Sequence, residues 1–325
     1  MPTNITLVEL AHRKDPSGNL ATIAEVLAEN STIMQDAPWT EANDTYSHKI
    51  VRRSSLPSGT WRTLNKGVTV ESSQTREFTE GIGMLEAYAE TDVEIVNAAP
   101  NPAAFRMQEA SAFMEGMAQT FSDAFFYGNS NTDPEKFSGL DVRTNALAAT
   151  TNVIGAGGTG SDLTSIYIVQ WGLNEVFMVY PKGSTVGLSH QDMGEVTVTS
   201  ATSTRPQTAQ YQAYRDHFQM KAGLVLKNPW SIARLANIES TGTSNIFDED
   251  DVITLCNRMP REGAGSVLYV NATVKTQMEI ALKDKANVNY TADSGEGLAG
   301  VPMLRFRGMP IRKNDSITIT ESALT

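Results

Sequence analysis

Cysteine is nearly absent: Cys256 is the only one in 325 residues. No intramolecular disulfide can form, and a zinc cluster built from cysteines is excluded. Cys256 falls in an apparent helix and reads as a small buried apolar residue rather than a nucleophile. Histidine is scarce too. His12, His48, His190 and His217 stand at no metal-ligand spacing from one another or from Cys256. His217 lies in the aromatic stretch Tyr211–Phe218 and reads as a core or sheet-edge imidazole. His190 is followed by Asp192, but neighbours in sequence do not make a triad, and no nucleophile elbow is present. Long hydrophobic runs are missing. Nothing approaches a membrane span and the N-terminus lacks a signal-peptide core, so no membrane partner and a cytosolic origin are expected. Basic charge is in short supply: 26 Lys and Arg against 37 Asp and Glu leave −11 and a pI near 4.9. That excludes nucleic-acid binding as the main business, because phosphate contacts need clustered Lys and Arg.

Two motifs invite chemistry and fail on context. Gly155–Gly160 matches G-x-G-x-x-G letter for letter, after Val153 and Ile154. A pyrophosphate site would need a helix to follow, but Leu163–Trp171 alternates like a strand, so a surface loop is the better reading. The acidic row Asp248–Asp251 suggests a cation, yet acids at a helix N-terminus complement the helix dipole and explain it more simply. No catalytic, cofactor-binding or metal-ligating residue is expected.

What is present is a foldable chain: 40% hydrophobic and 19% charged residues support a sizeable core, in one elaborate domain or two modest ones. Its most informative stretch is a helical pattern from Asn101 to Tyr127. Asn101 can cap, Pro102 suits the first helical position, and Gly128–Asn129 supplies the stop. Met107, Ala110, Met114, Met117, Phe121 and Ala124 recur at steps of three and four, predicting one buried stripe. About 26 residues give a rod of roughly 39 Å. Periodicity alone leaves open whether this is an ordinary core helix or a long strut.

Before it, a helix is expected over Leu20–Ala28 and irregular chain over Ala37–Asp44. Tyr46–Val70 reads as a long hairpin, with one arm at 48–53, a turn at Leu56–Gly59 and a return arm through 60–64 and 68–70. This segment is basic in an acidic protein, carrying Lys49, Arg52, Arg53, Arg62 and Lys66. A solvated hairpin is one reading; a projection that lies on an acidic neighbour is the other. Ile82–Val96 mixes strand and short-helix character. After the long helix, 146–162 reads as loop. Ile166–Trp171 and Glu175–Tyr180 read as a β-hairpin, and further strands are expected at 196–201, 210–227 and 231–237. Helices are expected at 248–259 and from Asn271 to about Lys285, around a buried strand at Ser266–Val270. Strands at 304–306 and 311–312 close the chain.

In this order the pieces resemble a tailed-bacteriophage major capsid protein of the Hong Kong type (Johnson fold), an α+β fold. Four stretches carry the likeness: Ser54–Arg62, Phe137–Leu140, Gly223–Leu226 and Arg234–Ile238. The resemblance implies an N-terminal arm (1–45), an extended loop (46–80) and a peripheral domain (81–143) with the spine helix at 101–127. It further implies a mainly axial domain (144–300), some of whose strands belong with the peripheral one, and C-terminal strands (301–325) returning to the peripheral domain. Lys49, Arg52, Arg53, Trp61, Arg62 and Lys66 become intersubunit contacts, and Gly81–Gly83 a candidate hinge. Lys66 lies in the segment where some relatives form a Lys–Asn cross-link, but no Asn or Glu matches that motif, so the chemistry is not carried over. The implied function is a self-assembling, non-enzymatic subunit of an icosahedral head around double-stranded DNA. The implied partners are its own copies as hexamers and pentamers, a separate scaffolding protein, a portal and decoration proteins, with packaged DNA touched non-specifically. Assembly is expected in the host cytoplasm. A cargo-enclosing encapsulin-like shell and a nucleotide-binding enzyme using 155–160 are the alternatives.

Overall fold

The computed structural model describes residues 32–147, 152–199, 210–284, 290–293 and 303–325. The expected Leu20–Ala28 helix lies outside them. The described chain opens with helix α1 (Ile33–Asp36) and strands β1 (Trp39–Glu41), β2 (Ser47–Ser55), β3 (Gln74–Gly81) and β4 (Gly83–Asp92). Helices α2 (Val93–Ala98), α3 (Pro102–Tyr127) and α4 (Leu140–Arg143) follow. Then come β5 (Val153–Gly155), β6 (Leu163–Gln170), β7 (Val176–Tyr180), β8 (Leu188–Thr199), β9 (Gln210–Leu226) and β10 (Ile232–Glu239). Helix α5 (Glu249–Arg258), β11 (Ser266–Val270), α6 (Ala272–Asp284), β12 (Tyr290–Asp293), β13 (Met303–Phe306) and β14 (Met309–Lys313) complete it. The chain divides into two compact units.

The larger unit takes 32–83, Asp123–Ser184 and Ala222–Thr325. Its main sheet runs β12-β13-β14-β11-β6-β10-β5. Every residue of β6 is buried, so both faces of the sheet are covered. Side chains alternate across a strand. Ile166 and Ile168 therefore meet Val252, Leu255 and Cys256 of α5 and Val274 and Met278 of α6. Tyr167 points the other way, its ring 5.3 Å from that of Phe126 at the end of α3. Both helices start where the sequence placed them. Asp248 Oδ1 accepts the Asp250 N–H at 3.0 Å, and Asn271 Oδ1 accepts the Val274 N–H at 2.8 Å. Cys256 is fully buried, and burial pushes its thiol up to about 11, which makes it inert.

Two expectations for this unit need correction, one on pairing and one on the loop 146–162. Strands β6 and β7 exist but do not form a hairpin: β6 pairs with β10 and β11, whereas β7 pairs with β1 and the end of β9. Both are apolar and buried, so each finds partners in a separate sheet. Within the expected loop 146–162, Val153–Gly155 forms a strand parallel to β10. Strands β13 and β14 join the sheet of β11, β6 and β10.

The smaller unit takes the described residues of Met84–Ser122 and Thr185–Lys221. Here β8 pairs antiparallel with β9, and β4 flanks β9 on its other side. Asn101 caps α3, its Oδ1 accepting the Ala104 N–H at 3.2 Å. Phe105 packs with Val96 and Ala99, and Phe113 stacks on Phe218 with ring centroids 6.0 Å apart. The expected stripe is therefore only half right. Met117 and Phe121 are buried, but Met107 and Met114 are 74% and 41% exposed. Large aromatic rings, more than methionines, choose which side of this helix faces inward.

Candidate assembly surface

The basic segment is a two-stranded ribbon, but not the hairpin expected. Strand β2 pairs with β3, Ile50 opposite Phe78, while residues 56–73 form no strand. The return arm is thus Gln74–Gly81 rather than 60–70. The reason is packing: Phe78 and Ile82 lie with Ile50, Ala42, Phe177 and Val225 in a local core, whereas no core among the described residues takes Leu56, Trp61, Leu64 and Val70, which are exposed.

The ribbon is fastened at its root. Arg143 grips Glu80 with two parallel hydrogen bonds, 2.8 and 2.7 Å, and donates to the Leu224 carbonyl at 3.0 Å. Such a bidentate pair fixes orientation as well as charge. Arg52 donates to the Leu226 carbonyl and lies 4.2 Å over the Phe78 ring. Backbone closely approaches the candidate hinge Gly81–Gly83 at two places. A Cβ on Gly83 would stand 3.0 Å from the Glu135 carbonyl, and one on Gly223 would stand 2.7 Å from the Gly81 carbonyl. The Ile82 N–H donates to Tyr46 at 3.1 Å.

The six residues singled out in the sequence separate into two groups. Lys49, Arg53, Trp61, Arg62 and Lys66 are exposed, Trp61 completely at 103%. The Lys49 ammonium lies 3.7 Å from Glu77 in a surface pair, a contact of little energy. Arg52 is half-buried and engaged within its own chain, and burial lowers the pKa of its guanidinium. The brace across the loop was not legible: Glu71 accepts the Ser58 N–H at 2.7 Å and the Gly59 N–H at 3.2 Å. These amides hold the Glu71 carboxyl below its ordinary value.

The other motifs singled out in the sequence resolve as follows among the described residues. The glycine loop packs instead of opening to a ligand: the Gly158 N–H donates to the Asn237 carbonyl at 3.0 Å, and a Cβ there would meet that oxygen at 2.6 Å. The described residues hold no group of three side chains able to bind a metal, and no described helix is long and apolar enough to cross a membrane. His48 packs edge-on against Phe177, and burial, then Lys227, lowers its pKa. His190 contacts Asp216 at 3.0 Å in a cluster where Arg106 also bonds Asp216 and Asp192. Acidic Asp248–Asp251 caps α5; burial, with Asp248 and Asp250, raises the pKa of Asp251.

A buried charge cluster ties distant parts of the larger unit together. Arg234, 1% exposed, bonds Asp141 at 2.6 Å, Glu321 at 2.9 Å and Ser165 at 2.9 Å. Burial opposes its charge, but Tyr167, Glu321 and Asp141 outweigh that. Tyr127, at the end of α3, donates to Glu321 at 2.7 Å. This is a structural lock: Arg234 is engaged through Nε and both terminal nitrogens.

A family model described as major capsid protein GP7 matches residues 15–325. A chain in the structure of bacteriophage Epsilon15 is 26% identical, with a TM-score of 0.76 over 100% of this chain and 98% of that one. The capsid of bacteriophage JBD30 is 14% identical, with a TM-score of 0.51 over 96% of this chain and 99% of that one, a likeness of fold. No curated protein matches the chain.

Proposed function

This chain belongs to the major capsid protein GP7 family, and on that footing we propose that it builds a tailed-phage head by lending its extended loop to adjacent copies. It is a structural subunit of a phage capsid with the Hong Kong-type fold. The family match over nearly the whole chain carries this conclusion and favours a phage head over a cargo shell or a nucleotide enzyme.

Residues 46–80 are the extended loop of this proposal, 101–127 the spine helix of the peripheral part, and 144–300 mainly axial. Hexamers and pentamers of the same chain would enclose double-stranded DNA, with scaffolding and portal proteins as partners during assembly in the host cytoplasm. The subunit works by burying area, not by chemistry, and needs no cofactor. Charge supports the loop's role. Residues 46–80 carry six bases and three acids, +3, in a chain of −11, so the remainder carries −14. Opposite charges steer encounter and fix register more than they add affinity. The acidic remainder also suits a wall that must not grip DNA tightly.

Sedimentation of the purified full chain tests the reading. Fast-sedimenting shells are expected; a chain that remains a monomer under all assembly conditions contradicts it.

A further inference from the structure

The loop at the far end of the β2–β3 ribbon is closed on itself before anything docks on it. One Glu71 carboxylate accepts two consecutive backbone amides, Ser58 and Gly59, and the Ser58 hydroxyl lies 3.3 Å from both of its oxygens. Gly59 has a φ of +66°, a conformation open to glycine and strained for other residues. Inside the closure a second turn forms: the Lys66 N–H donates to the Thr63 carbonyl at 3.3 Å, with Asn65 at a φ of +67°. Within the closure the chain displays Trp61 at 103% exposure, Leu64 at 88% and Val70 at 95%. Arg62 and Lys66 alternate with them.

A surface tip with three such side chains bare to water and an internal brace is arranged for a partner. We propose that Glu71 is a positioning residue that pre-forms this tip as a plug for a second copy of the same chain. The inference rests on the capsid reading above, and charge names the occupant. The tip's cations sit in a +3 segment, and a second copy offers a −14 remainder. Holding a loop in its docked shape reduces the ordering cost of association, which is how a residue that touches no partner strengthens binding. The same two amides hold the Glu71 carboxyl below its ordinary value, which favours the ionised form that accepts them.

The test compares the full-length chain with Glu71→Ala and Glu71→Gln, the second retaining an acceptor for the amides. Three readouts are taken: tryptic cleavage after Arg62 and Lys66 in the free subunit, the rate of shell formation by light scattering, and Trp61 emission isolated against a Trp61→Phe reference. Glu71→Ala is expected to be cleaved faster and to assemble about fivefold more slowly or worse, with unfolding midpoint unchanged. Glu71→Gln should recover part of that loss, and Trp61 emission should shift to the blue as shells form. Wild-type assembly rates for Glu71→Ala, with Trp61 still becoming buried, overturn the brace while leaving the capsid reading intact. Shells in which Trp61 stays water-exposed overturn the plug. An unaltered chain that forms no shell at all contradicts the capsid reading and this inference with it.

Discussion

Gly139 shows how a single residue decides a connection. A Cβ there would stand 2.7 Å from the carbonyls of both Ala124 and Phe125, and one on Gly128 would stand 2.4 Å from the Ala124 carbonyl. These glycines let the Phe137–Leu140 segment lie on the last turn of α3, with the Gly139 N–H donating to Gly128 at 2.8 Å. The obstacles are backbone atoms, which cannot rotate away. Gly139→Ala should therefore destabilise the chain by about 1–3 kcal/mol, read as a lower urea midpoint with unchanged slope. The sequence marked Gly128 as a helix stop and Gly139 only as part of the Phe137–Leu140 stretch; neither has a positive φ, so their role is close approach. Arg234 is the second decisive residue. Replacing it with Met removes the cationic partner of Glu321, whose side chain is 7% exposed. The expected loss is about 3 kcal/mol, again by urea unfolding, and the double variant Arg234→Met with Glu321→Leu should recover much of it. Neither of these partners could be read from sequence, since the contact spans 87 positions.

Elements were legible where local chemistry sets them. Capping residues, Pro102 and the acidic first turn placed α3 and α5, and the apolar run Val267–Val270 placed β11. Pairing was not legible, because it depends on contacts far away in the chain. The ribbon is the instructive case. Val68–Thr69–Val70 looks as strand-like as Glu77–Phe78–Thr79, but only Phe78 has a core to join. The same ribbon separates the basic residues by task. Reversing Arg53, Arg62 and Lys66 to Glu together should cut shell yield at least tenfold, with the monomer's unfolding midpoint unchanged, because these side chains are exposed. Arg52→Glu should instead lower the midpoint by burying a charge near Glu80. Gradient yields and thermal melts on both variants check this division; equal loss of stability in the two would refute it.

At the scale of the whole molecule, the order of elements carried more than any motif. A basic segment, a long helix and a mixed α+β body were visible in one dimension. What sequence could not give was the exposed half of α3, with Met107 and Met114 in water. A helix that is apolar on more than one side suits a subunit whose burial is completed by its neighbours. The central claim is that many copies of this chain close into one shell, and negative-stain electron microscopy of the purified full-length protein tests it most directly. Uniform icosahedral particles are the predicted result; a field of small, monodisperse globules under assembly conditions would contradict it.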